Sequence, residues 1–85
     1  MKILNYVVRT PTGIHARNAF LLSKIAVRFQ SEIQIQKGER AENVKNVMSI
    51  MSLHVRFKDS ISIIISGSDE EEACKALTVF CEANL

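Results

Sequence analysis

Ser60-Ile61-Ser62-Ile63-Ile64-Ile65-Ser66, closed by Gly67, is the stretch on which the fold turns. A run of isoleucines set between serines and ended by glycine carries the clearest strand signal in the chain, because β-branched side chains pack well on a pleated surface. On its C-terminal side Asp69 and Glu72 stand at N-cap and N3 spacing, and the acidic run Asp69 to Glu72 suits the positive end of a helix. A helix over 70–84 follows, with Ala73, Leu77 and Phe80 along one buried stripe. On the N-terminal side, residues 46–53 (NVMSIMSL) are mostly apolar without strict alternation and read as a short helix. Before them, 32–36 alternates, Lys37-Gly38-Glu39 makes a turn, and 40–44 returns as a short strand, so this stretch is a hairpin. Ala16 to Arg28 has apolar residues at helical spacing, after punctuation by Thr10, Pro11, Thr12 and Gly13. Residues 3–9 alternate, with Leu4, Tyr6 and Val8 on one side and Asn5, Val7 and Arg9 on the other. The order is βαββαβα. Its economical packing is an α+β two-layer domain with three helices on one face of a four-stranded, mainly antiparallel sheet.

Eighty-five residues close one hydrophobic core and no more, so residues 1–85 form a single domain. With 47% hydrophobic and 24% charged residues the chain has the composition of an ordinary globular domain. A net charge of +2 is too weak for a protein that tracks nucleic-acid phosphates, and base-stacking aromatic pairs are missing from the strands. No stretch reaches the roughly 20 apolar residues that span a bilayer, and the start lacks the pattern of a signal peptide, so the cytosol is the expected compartment. Cys74 and Cys81 lie seven apart on one helix, about 10 Å along its axis. That is too far for a disulfide within the helix, and the two read as buried packing residues. A metal site would need more Cys or His nearby, and no cofactor is implied.

The segment with chemical content is Gly13-Ile14-His15-Ala16-Arg17. It sets a histidine at the junction of a loop and a helix start, where unpaired backbone N–H groups and about half a positive charge favour an anion. The same field favours neutral imidazole, the form with a lone pair free to attack phosphorus, and Arg17 adds a cation that could pair with phosphoryl oxygens. A plain helix cap and a solvated arginine would use the same residues. What favours chemistry is the rest of the helix. If Ala19, Leu22, Ile25, Ala26 and Phe29 face the core, then Arg17, Phe20, Lys24, Val27 and Arg28 point away from it. An aromatic among basic residues beside a nucleophile looks like a docking surface for an acidic partner. On the short helix, Val47, Met48, Ile50, Met51 and Leu53 cover more circumference than one core-facing side can bury. Met48 and Met51 are expected to be exposed, with Val47 at the edge and Lys45 beside them, since flexible methionines suit surfaces that meet several partners.

At this point the chain resembles HPr, the histidine-containing phosphocarrier of the bacterial phosphoenolpyruvate-dependent sugar phosphotransferase system. The resemblance spans all 85 residues. It is carried by Thr12-Gly13-Ile14-His15-Ala16-Arg17, by Met48-Ser49-Ile50-Met51-Ser52-Leu53 and by Gly67-Ser68-Asp69-Glu70. It implies an open-faced sandwich and a transient phosphohistidine in a carrier protein that is not itself an enzyme. His15 would be phosphorylated on Nδ1 by enzyme I and dephosphorylated by IIA proteins or domains, with Arg17 stabilising the phosphate. It also puts Phe20, Val47, Met48 and Met51 at the apolar docking patch, with Lys24 and Lys45 among its basic neighbours, and implies a monomer.

Three positions depart from that pattern. Asn18 replaces a proline and is expected to loosen the first helical turn. Asn46 stands where many relatives carry a regulatory serine, so HPr kinase has no hydroxyl to phosphorylate there. His54 replaces a glycine and must accept the backbone angle that ends the short helix; it reads as structural or solvated. A second function fits the same residues, an HPr-like regulatory module that binds partners without serving sugar import. Asn18 and Asn46 lean that way, while His15 and Arg17 lean toward the carrier.

Overall fold

A computed structural model describes all 85 residues, in the order β1 (Lys2–Val7), α1 (Ala16–Ala26), β2 (Glu32–Lys37), β3 (Arg40–Asn43), α2 (Val47–Met51), β4 (Ser60–Ser66), α3 (Glu70–Asn84). The four strands form one sheet in the order β1-β4-β2-β3. Every pairing is antiparallel, so the sheet is wholly and not mainly so. The isoleucine run forms the central β4, paired on one side with β1 (Ile63 opposite Leu4) and on the other with β2 (Ile63 opposite Ile35). Its alternation places Ile61, Ile63 and Ile65 in the core. Leu4 and Tyr6 of β1 and the following Val8 pack on the same side.

The helices cover that face. Ala19, Leu22 and Ala26 of α1, Ile50 of α2, and Ala73, Leu77, Phe80 and Cys81 of α3 join the strand residues in one buried cluster. Ile25 and Phe29 lie at its edge, half-buried. Cys81 is fully buried and its thiol is pushed up to about 12 by desolvation. Cys74, expected to be buried with it, is only half-buried at the cluster's rim, because the neighbouring elements do not cover the full width of the helix's apolar stripe.

Several expected boundaries shift. β1 ends at Val7 and not at residue 9, because Arg9 and Thr10 donate their N–H groups to the Leu85 carbonyl and leave the sheet. α1 stops at Ala26, two residues early, where Arg28 and Phe29 turn back in tight i→i−3 bonds. α2 is shorter than 46–53, with Asn46 as its N-cap and Ser52 as its C-cap. β2 runs one residue longer than expected and β3 one shorter.

The expected Asp69–Glu72 capping box does not form. Asp69 turns its carboxylate outward to accept N–H groups of Gln30 (2.8 Å) and Ser31 (3.0 Å) and the Ser31 hydroxyl, tying the loop after α1 to the start of α3. Glu70 takes over locally, accepting the Gly67 N–H at 3.2 Å and the N-terminal ammonium at 2.7 Å.

Candidate functional site

Gly13 makes the turn into α1. Its φ of +66° lies in the left-handed region, and a Cβ there would overlap the Val55 carbonyl oxygen and stand 2.8 Å from Arg56 Cα. The turn is pinned by Gly13 N–H to the Thr10 carbonyl (3.1 Å) and Ile14 N–H to the Val55 carbonyl (3.0 Å), with Ile14 anchored in the core. His54, just before Val55, does adopt the left-handed angle that ends the segment after α2, with φ +50°, and its side chain is solvated.

His15 is the N-cap of α1. Its backbone is extended (φ −108°, ψ −179°) and its imidazole is exposed. The first helical N–H to find a carbonyl a full turn back is that of Ala19, 2.9 Å from the His15 oxygen. The N–H groups of Ala16 and Arg17 precede it and head the helix, where an anion is favoured. No acidic residue occupies the first turn of α1, so nothing there competes with a phosphoryl group for that end.

Asn18 does not loosen this turn. Its Oδ1 accepts the His15 backbone N–H at 2.7 Å and its Nδ2 donates to the Gly13 carbonyl at 3.1 Å, giving the His15–Asn18 pair capping-box form. A histidine three residues ahead of an asparagine was the available sign of this pairing.

Of the expected site residues, His15 and Arg17 line one cleft of about 270 Å³ together with Thr10, Asn18, Leu21 and Asn84. Leu21 and Asn84 had no signal in the sequence; α3 brings its last turn here only through packing. Phe20 is 54% exposed on α1, with the Lys24 ammonium 5.7 Å from its ring, and Arg28 is exposed on the same helix. α2 packs on α1 and carries Met48, 74% exposed. Val47 and Met51 are half-buried against the core, so Met51 offers less surface than expected. Lys45 is half-buried, its ammonium 2.7 Å from the Phe29 carbonyl just past the end of α1. A cation there satisfies a carbonyl left over at a helix C-terminus, which already employs the charge.

A neutral imidazole here offers a lone pair to an electrophilic phosphorus. The N–H groups of the helix start and the Arg17 guanidinium could then take up charge on the phosphoryl oxygens. The family model described as the PTS HPr component phosphorylation site matches residues 4–83. Phosphocarrier protein HPr of Mycoplasma genitalium is 40% identical over 85 residues, covering 99% of this chain and 97% of that protein. HPr-like protein Crh of Halalkalibacterium halodurans is 43% identical over 75 residues, 88% of this chain and 89% of that one. The crystal structure of HPr-C-His from Thermoanaerobacter tengcongensis superposes with a TM-score of 0.92 at 38% identity, covering 98% and 93% of the two chains. This chain belongs to the HPr family, the phosphocarriers of the bacterial sugar phosphotransferase system, and is a carrier protein and not an enzyme.

Proposed function

We propose that the chain accepts a phosphoryl group from enzyme I on His15 and passes it to IIA proteins or domains. The observation that carries this is the exposed imidazole at the head of α1, in one cleft with Arg17. The Nδ1 lone pair attacks phosphorus. A P–N bond forms while the bond from phosphorus to the donor atom breaks, and the departing atom keeps that electron pair. Transfer onward repeats the step with His15 as leaving group. Phe20 and Met48 form the exposed centre of the docking surface, Val47 and Met51 its half-buried edge, and Lys24 its nearest cation. We further propose that the carrier acts as a monomer. No helix is long and apolar enough to cross a membrane; we place the carrier in the cytosol with enzyme I.

Incubation with phosphoenolpyruvate and enzyme I should add one acid-labile phosphoryl group by mass, and none to His15→Ala. Label persisting on His54 or elsewhere in that variant would show that the acceptor lies elsewhere. The Crh relative favours a second function, a regulatory module that binds partners without serving sugar import. Transfer from the phosphorylated protein to a IIA domain distinguishes them, because only the carrier loses its label.

A further inference from the structure

We propose that Asn18 is a positioning residue for phosphoryl transfer, one side-chain amide that sets where the His15 imidazole emerges from the loop. The inference rests on the phosphocarrier function proposed above and adds a residue to it. Asn18 is only 6% exposed, with its bond to Gly13 buried and its bond to His15 partly buried. Its oxygen takes the backbone N–H of His15 at 2.7 Å and its nitrogen holds the Gly13 carbonyl at 3.1 Å. One planar group thus clamps the chain on both sides of Ile14, across the peptide units that lead to the nucleophile.

The need for such a clamp follows from the surroundings of His15. Its side chain is exposed, so the direction in which the imidazole leaves the chain is set by the backbone that carries it. On the loop side that backbone is fixed by Gly13 and Ile14, through Thr10 and Val55. On the helix side it is fixed by the Ala19 N–H, which donates to the His15 carbonyl. The His15 N–H lies between these two anchors, and Asn18 Oδ1 is the partner that secures it. Bonding this N–H to Asn18 also withdraws it from the anion, which leaves the N–H groups of Ala16 and Arg17 to meet phosphoryl oxygens. Small misplacements of a reacting group cost up to about a hundredfold in rate, so a freed N-cap should slow the chemical step more than partner binding.

The test compares Asn18→Ala and Asn18→Gln with the unchanged protein. Gln is neutral and, at N3, is a residue type that reaches back to the N-cap N–H. Three quantities are read at a temperature where all three proteins are folded: hydrogen exchange of the His15 amide by NMR, kcat and KM for phosphorylation by enzyme I, and the melting temperature. Asn18→Ala should expose the His15 amide to exchange and lower kcat about tenfold with KM little changed, and Asn18→Gln should recover amide protection and rate together. Unchanged kcat in Asn18→Ala, with only the melting temperature lowered, would reduce Asn18 to a stabilising residue and overturn the proposal. So would a loss that appears in KM alone, or a His15 amide equally protected in Asn18→Ala. If enzyme I fails to label even the unchanged protein, the phosphocarrier function falls. In that case the amide exchange still reports separately whether Asn18 holds His15.

Discussion

The side-chain oxygen of Asn46 accepts the backbone N–H of Ser49 at 3.1 Å, which makes Asn46 the N-cap of α2. The position therefore has a structural task that needs an acceptor, which Asn46 supplies without a hydroxyl that could be phosphorylated. Asn46→Ala should cost about 1 kcal/mol, the usual loss for an N-cap, seen as a lower denaturation midpoint. Incubation with ATP and HPr kinase should leave residues 46–52 without stoichiometric phosphoserine. Full labelling of Ser49 or Ser52 would show that this regulatory input has moved along the helix and not been lost.

Phe20 and Met48 are exposed on neighbouring helices, so truncating either removes little from the core. Phe20→Ala and Met48→Ala should each weaken the complex with enzyme I by about 1–3 kcal/mol, the range of an interface anchor. Melting temperatures should barely move. Near-normal transfer with a large fall in melting temperature would make these residues part of the fold and send the docking surface elsewhere. Lys45→Ala should behave differently from Lys24→Ala, because the Lys45 ammonium is engaged with the Phe29 carbonyl. Its loss should lower stability, whereas loss of Lys24 should reduce the salt dependence of association.

Asp69 makes acid sensitivity predictable. The Ser31 hydroxyl first, and then the Gln30 N–H, hold its carboxyl below the ordinary value of 3.8. A carboxylate depressed in the folded state adds stability that is complete above the unfolded value and is lost as pH falls through the folded one. Urea midpoints followed from about pH 6 down to about pH 2 should drop below roughly pH 4, and Asp69→Asn should flatten part of that drop. An unchanged slope in Asp69→Asn would mean that Asp59 and Glu70, also held low by hydrogen bonds, account for the acid limb alone.

Gly13→Ala tests the turn that delivers His15. The new Cβ would meet the Val55 carbonyl in a backbone conformation that alanine resists, so stability should fall by more than about 1 kcal/mol. Phosphorylation of the remaining folded protein should also slow, since the loop must shift beneath His15. Normal rate and stability together would mean that the Val55–Arg56 segment yields freely and does not support the site.

Local chemistry in the sequence determined the elements and the proposed nucleophile. The alternation of isoleucines needs only the two-residue period of a strand to be legible, and the apolar spacing of α1 needs only the helical repeat. His15 and Arg17 are legible as candidates because the feature they would work with is the helix start, which lies within three residues. Asn46 and His54 were likewise legible, one as a residue without a hydroxyl and the other as a residue forced into a positive φ. Tertiary structure decided everything that depended on a distant partner. Asp69 looked like a helix cap until the loop at Gln30 and Ser31 came within reach, and Lys45 looked like a free surface charge until the end of α1 arrived beside it. Met51 and Cys74 differ from expectation because the width of a buried stripe is set by neighbouring helices and not by the helix that carries it. Asn18 shows the boundary most closely. Its identity was plain in the chain, but whether an amide loosens a turn or clamps it depends on where the Gly13 carbonyl and the His15 N–H point, and only the folded loop fixes those directions.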